Sequence, residues 1–184
     1  MTFPERLLST PPMLRPFVAI DFETADYRAD SACAMGLVRV EGLNIVERKV
    51  VLIRPPRSWI HFTHIHGLTW EMVKDAPRFA DAWQQVKHLL DGVDMLAAHN
   101  AGFDRGVLNG CCRAAGFEPP SLPFLCTVKL AKRTWKEKRN NLAIVCERLG
   151  IALNHHEALS DAEACARIAI AASKRVQPVL PLFQ

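Results

Sequence analysis

Residues Phe17 to Thr24 read "FVAIDFET", an apolar run closed by two carboxylates. Its β-branched and aromatic residues Phe17, Val18, Ile20 and Phe22 predict a strand over about 17–23. Side chains alternate faces along a strand, so Asp21 and Glu23 point the same way, with Cα atoms ~6.5 Å apart. Carboxylates at that spacing repel each other, and beside Val18, Ile20 and Phe22 they also lose solvation, so both effects disfavour ionisation. A divalent cation relieves both, and oxygen-only donors suit Mg2+ or Mn2+. The end of a core strand is also where open α/β sheets place their sites. For a lone D-x-E the alternative stays open that the acids simply stand where the strand leaves the core.

Working outward, "AMGLVRVEG" and "LNIVERKVVLIRP" predict strands over about 34–41 and 45–53, joined by a Gly-containing turn into an antiparallel hairpin. "APRFADAWQQVKHLLDG" places Phe79, Trp83, Val86, Leu89 and Leu90 on one helical face before Gly92 ends it. "VDMLAAHN" reads as a buried strand over 93–98 and "AGFDRGVLNGCCRAAGF" as a helix. "FLCTVKLAKR" reads as a short strand and helix, and "NNLAIVCERLGI" and "SDAEACARIAIAASKRV" as two more helices. A hairpin followed by strands alternating with helices predicts an α/β sandwich around a mixed sheet.

The chain has 184 residues, 49% of them hydrophobic and 23% charged, which fits one domain with a sizeable core and excludes a disordered or fibrous chain. Its net charge of +4 is compatible with a polyanionic partner. The six cysteines show no C-x-x-C spacing and several fall at apolar positions, as reduced core thiols do. "MTFPERLLSTPPMLRPF" lacks the pattern of a signal peptide, and no run reaches the ~18 apolar residues of a membrane span, so a cytoplasmic location is the default expectation. The expected division is an irregular lead-in over 1–16, a domain over 17–174 and a tail over 175–184.

Two further stretches bear on the acids. In "HNAGFD", Asn100 is placed to cap the following helix and Asp104 falls in its first turn, where the helix dipole favours an anion. In "HHEALSDAEACARIAIAA", Asp161 begins a helix rich in small residues (Ala162, Ala164, Ala166, Ala169, Ala171), able to pack close to a sheet and bring Asp161 near the strand-end acids. His156 precedes it by five residues and is free to face the same cleft. Read singly, Asp104 could be a helix-start acid, and His155 and His156 ordinary surface or core histidines.

Together "DFET", "HNAGFD" and "HEALSDA" resemble the three motifs of the DEDDh family of 3′-to-5′ exonucleases, which includes the polymerase proofreading subunit, ribonuclease T and exonuclease X-like enzymes. The resemblance runs from about Phe17 to Ala172. It implies a ribonuclease-H-like three-layer sandwich with a mixed, roughly five-stranded central sheet, and two Mg2+ or Mn2+ ions. By this resemblance Asp21, Glu23, Asp104 and Asp161 match the four acids and His156 the histidine, since the family has four residues between histidine and aspartate. One metal is implied between Asp21, Glu23 and Asp161, a second on Asp21 and the substrate phosphate, with Asp104 helping indirectly and His156 as general base. A histidine of ordinary pKa ~6.5 suits that task near neutral pH. On the same basis His156→Ala should abolish most turnover and His155→Ala should be mild.

The implied activity is release of nucleoside monophosphates from a nucleic-acid 3′ end, with single-stranded DNA or 3′ overhangs favoured over RNA. The alternatives are an RNA-trimming enzyme and an inactive binding module of the same fold. By resemblance, His66, Gly67, Leu68 and Thr69 of "HGLT" stand near the 3′ end with Leu68 or Phe22 against a base, and Thr24, Asn100 and Phe103 contact substrate; Thr69 could equally cap a helix. "KLAKRTWKEKR" offers Lys129, Lys132, Arg133, Lys136, Lys138 and Arg139 to phosphates and Trp135 to a base, or is a solvated face. "HFTHIH" has close histidines (His61, His64, His66) but no thiol pair for a structural zinc site. In the tail "VQPVLPLFQ", Gln177, Leu180, Leu182 and Phe183 resemble the short motif by which bacterial replication and repair proteins dock into the sliding clamp, although Pro178 stands where that motif has leucine; the alternative is a tail folded back on the domain or disordered. A monomer and a homodimer are both open.

Overall fold

In the computed structural model, which describes residues 15–136 and 138–176, the strands are β1 (Phe17–Thr24), β2 (Ala32–Glu41), β3 (Asn44–Leu52), β4 (Met95–Ala98) and β5 (Phe124–Cys126). They form one sheet in the order β3-β2-β1-β4-β5. β1 pairs antiparallel with β2, and β2 with β3, as the hairpin reading predicts, while β1–β4 and β4–β5 are parallel. β1 is central because it is apolar on both faces: of its eight residues only Asp21 is not fully buried.

The two faces of β1 sort into separate cores. Val18, Ile20 and Phe22 join Met35 and Leu37 of β2 on one face. This face is covered by α3 (Phe79–Val86) and α4 (Ala101–Ala114) through Phe79, Trp83, Val86, Val107, Leu108 and Cys111. The helix expected through Leu90 instead closes with a tighter 3-10 turn at Lys87–Leu90. On the other face Phe17 and Ala19 join Val38, Val40 and Ala97 beneath α7 (Ala158–Val176). Outside α7 lie α5 (Thr127–Trp135) and α6 (Leu142–Leu149), packed through Ala131, Leu142, Val145, Cys146 and Ile168. Two short helices, α1 (Thr63–His66) and α2 (Trp70–Val73), sit in the long connection from β3 to α3. The result is a three-layer α/β sandwich of the ribonuclease-H-like kind.

The alanines of α7 do what their size allows: Ala162, Ala166, Ala169 and Ala172 lie flat on the sheet. The closest approach is at Gly36 of β2, the residue paired with Asp21, where an added Cβ would stand 2.2 Å from the Ala158 carbonyl oxygen. Only a residue without a side chain lets the start of α7 descend this far. All six cysteines are unpaired thiols, and all but Cys126 are buried. No helix among the described residues is long and apolar enough to cross a membrane. The expected tail segment from Gln177 onward and most of the lead-in lie outside the described residues.

Candidate active site

The four acids converge at one end of the central strands. Asp21 and Glu23 come from β1, Asp104 from the first turn of α4 and Asp161 from that of α7. One ligand atom each from Asp21, Glu23 and Asp161 lies within 4.8 Å of the others. Asp104 owes its position to an interrupted ladder. β1 and β4 pair only from Phe17↔Met95 to Ala19↔Ala97, and past that point the Phe22 N–H donates to Asp104 Oδ1 at 3.2 Å.

These carboxylates carry an unusual electrostatic load. Burial pushes the Glu23 pKa up to about 8, with Asp161 and Asp104 adding repulsion, and pushes Asp104 up to about 7. Asp21 is raised well above the carboxylate range by burial and by Asp104, Asp161 and Glu23. Burial raises Asp161 as well, against the lowering influence of His155. Asp161 Oδ1 is buried with no hydrogen-bond partner among the described residues, a state that costs free energy unless something binds there. Three converging oxygens, an orphaned lone pair and suppressed ionisation fit a hard divalent cation.

The histidines before α7 divide their tasks. His155 Nδ1 bonds Asp161 Oδ2 at 2.9 Å, and the His156 backbone N–H donates to the same oxygen at 3.3 Å. The two rings stack with centroids 3.9 Å apart, and His156 adopts a left-handed φ of 69°. Desolvation and the neighbouring His155 lower the His156 pKa. His155, expected to be a bystander, is therefore the ring that touches an acid; its place beside His156 was the available signal.

A cleft of ≈ 790 Å3 lies over the acids, and its lining sorts the expected substrate contacts. Thr24, His66, Asn100 and Phe103 line it, with Phe103 48% exposed. Asn100 stands before α4 with φ 73° and makes no side-chain cap bond, which corrects its expected capping role and leaves its amide to the cleft. Phe22 is also among the cleft's lining residues, although its ring is in the core, 3% exposed, because alternation along β1 turns it away from Asp21 and Glu23. Leu68 does not line the cleft but packs on Ala25, Cys33 and Val73. Thr69 is exposed, outside the lining, and precedes α2 without a side-chain cap bond. His66 has both ring nitrogens engaged: Nε2–H donates to the Thr24 carbonyl at 3.1 Å, and Nδ1 accepts from the Leu68 N–H at 3.0 Å. That neutral tautomer agrees with a pKa lowered by burial.

Lys132 and Lys138 of the basic run reach the cleft. Trp135 does not, because it packs half-buried against the cores around α7. The histidines of "HFTHIH" form no candidate metal cluster among the described residues. His99 was missed by sequence reasoning despite following β4 directly. Its Nε2–H donates to the Asn140 carbonyl at 3.0 Å and its Nδ1 pairs with the Thr127 hydroxyl at 2.9 Å, tying the basic segment to the sheet end. Burial pushes its pKa down to about 4.

A mixed five-stranded sheet flanked by helices, with an acidic cluster at the end of its central strands, defines a ribonuclease-H-like α/β fold. The chain belongs to the Exonuclease family, whose model matches residues 18–169. It is 37% identical over 153 residues to the PolC-type DNA polymerase III of Oceanobacillus iheyensis, covering 80% of this chain and 11% of that protein. It is 34% identical over 167 residues to the DNA polymerase III subunit epsilon of Haemophilus influenzae, covering 82% of this chain and 64% of that one. The chain thus spans a small part of the PolC-type relatives and under two thirds of the epsilon subunit. Among solved structures it is similar to exonuclease X in complex with 5′ overhanging duplex DNA, with a TM-score of 0.71, 26% identity, and coverage of 87% of this chain and 92% of that one.

Proposed function

We propose that the protein is a divalent-cation-dependent 3′-to-5′ exonuclease that removes nucleoside monophosphates from DNA ends, single-stranded ends or 3′ overhangs by preference. The observation that carries this reading is the buried cluster of Asp21, Glu23, Asp104 and Asp161, raised in pKa and with Asp161 Oδ1 unpaired among the described residues. Among the described residues no lysine or arginine lines the cleft except Lys132 and Lys138. The floor of the cleft is thus a set of clustered carboxyl groups, and a bound cation would hold them ionised while offsetting the charge of an approaching phosphodiester. Asp21, Glu23 and Asp161 would hold Mg2+ or Mn2+ there, with Asp104 supporting the set from behind through the Phe22 N–H. Two such ions, when bound, would offset phosphate charge and steady the attacking and leaving oxygens of an in-line displacement.

The remaining work falls to this chain's own groups. His156 takes the proton of the attacking water: its ring lines the cleft, and its lowered pKa keeps it neutral near pH 7. His155 orients Asp161 through Nδ1. A second reading has one observation in its favour: the His155–Asp161 bond resembles a base and its orienting acid, with His155 Nε2 left as the base. DNA is favoured because the relatives named above are DNA polymerase components and exonuclease X is seen with DNA.

The test is digestion of matched single- and double-stranded DNA and RNA oligonucleotides in Mg2+ and in EDTA. Stepwise shortening from the 3′ end, fastest on DNA and absent in EDTA, is expected. Internal cuts, or shortening indifferent to EDTA, would overturn the reading; tight binding without cleavage would make the chain an inactive binding module.

A further inference from the structure

The turn before α7 does more than supply one base. His155 and His156 are neighbours in the chain, and in extended backbone neighbouring side chains diverge to opposite faces. Here they run together. His156 adopts a left-handed φ of 69°, uncommon for a residue with a side chain, and the two rings stack with centroids 3.9 Å apart and planes 15° from parallel. The turn is held from its own flanks: the Asn154 N–H donates to Ser160 Oγ at 2.8 Å, and the Asn154 amide group donates to Glu157 Oε2 at 2.9 Å.

A second set of donors results. One ring nitrogen from each histidine and one carboxylate oxygen of Asp161 lie within 4.8 Å of one another, a group distinct from that of Asp21, Glu23 and Asp161. The two sets share only Asp161, whose carboxylate has an oxygen for each. Oδ2 meets His155 Nδ1 at 2.9 Å, while Oδ1 has no hydrogen-bond partner among the described residues. Donors around a tetrahedral zinc ion with bonds of ~2.1 Å stand about 3.4 Å apart, so this pair is already near the required span. Both histidines are exposed, which gives an ion a path in and leaves its fourth position to water. Mg2+ takes oxygen donors and keeps its waters, whereas imidazole suits Zn2+.

We propose that His155, His156 and Asp161 form a zinc site that switches the enzyme off. The ion takes the place of the proton shared by His155 Nδ1 and Asp161 Oδ2, which leaves to solvent, and it also binds a ring nitrogen of His156. A neutral imidazole bound to a cation through one nitrogen carries hydrogen on the other and accepts no further proton. Whichever histidine is the base is therefore lost. The inhibition rests on the exonuclease reading; the site itself rests only on its three donors.

Zn2+ affinity is measured on the full chain, stripped with EDTA and then held in millimolar Mg2+, by competition with a chromophoric chelator. His155→Ala and His156→Ala should each raise Kd for Zn2+ by at least about tenfold, a loss that even supporting contacts of a metal site produce. Glu23→Gln, which removes a donor from the acidic set only, should keep Kd for Zn2+ within about threefold. Of the seven histidines, two should show ring NMR signals that move with Zn2+ and stay still with Mg2+. A larger loss in Glu23→Gln than in the histidine variants would put zinc among the carboxylates and overturn the site. So would binding abolished by substituting His61 and His64, an exposed pair with ring centroids 6.3 Å apart. Micromolar Zn2+ should also slow shortening of a DNA oligonucleotide in Mg2+, with recovery on adding a chelator that spares Mg2+. Full activity with the histidine signals saturated by zinc would overturn the switch. Absence of shortening in Mg2+ alone would remove the exonuclease reading, and the zinc site would still stand or fall by the histidine variants.

Discussion

Asp21 and Glu23 at the end of β1, and Asp26 and Asp30 in the loop that follows, are neighbours in sequence and opposites in environment. Asp26 and Asp30 close on Arg57, whose hydrogen bonds hold the Asp30 carboxyl below its usual range. Asp21 and Glu23 meet only other carboxylates and are raised. The chain thus neutralises acids internally where a loop must be held, and leaves them unneutralised where a cleft opens. Structural acids carry their own counter-charge; on the proposed reading the others would take theirs from a bound cation.

The strongest way to break this contrast is to remove an unneutralised acid. Asp161→Asn should lower turnover on a DNA oligonucleotide by on the order of a hundredfold to a thousandfold. The same substitution should raise the melting temperature of the metal-free protein, since it relieves a buried and repelled carboxylate. Activity retained, or a lower melting temperature in EDTA, would place Asp161 with the structural acids instead. The two histidines come next. His156→Ala should cost about 10²–10⁴ in kcat with Mg2+ affinity preserved. His155→Ala, whose ring holds Asp161, should act chiefly by weakening Mg2+ affinity, a revision of the mild effect expected from sequence. If His155→Ala flattens the pH–rate profile and His156→Ala does not, the second reading of the base is correct.

A smaller effect tests the packing that delivers Asp161. Gly36→Val should destabilise the protein by about 1–3 kcal/mol in denaturant melts, because its side chain meets the Ala158 carbonyl. A neutral substitution would mean that α7 is not held down at Gly36.

The contrast can also be sharpened by pH. With Glu23 raised from 4.5 to about 8, the native state keeps a proton over that interval which the unfolded chain has released, so stability falls as pH rises. Below about pH 6.5 the opposite pull of His99, lowered to about 4 in the fold, sets in. Thermal melts in EDTA should therefore decline from pH 6.5 to 8, by about 1–2 kcal/mol, and Mg2+ should stabilise more as pH rises. A flat EDTA profile would show the acids ionised and unstrained. The smallest expected change is Arg57→Ala, about 1 kcal/mol at pH 7. Because Asp30 is held low, that difference should persist above its ordinary value and vanish as pH falls through the depressed one.

How much of this is legible in the sequence differs by element. Strand periodicity in "FVAIDFET" and the two hairpin segments placed β1, β2 and β3 within one or two residues, since alternation and turn chemistry are local properties. The same alternation put Asp21 and Glu23 on one face, and by the same rule it turns the Phe22 ring into the core. Motif order grouped Asp104 and Asp161 with them, and for Asp161 the small residues of its helix pointed the same way. The sequence could not show that the β1–β4 ladder stops at Ala19, which frees the Phe22 N–H for Asp104, nor that Gly36 admits the start of α7 opposite Asp21. It could not separate Trp135, claimed by the cores around α7, from Phe62 and Phe103 in the cleft, since all three are aromatics in mixed segments. Residue types and their local periods determined the elements and the acidic inventory. The distances among the acids and the pairing of Arg57 with one set only depend on contacts between segments far apart in the chain, and those only tertiary packing decides.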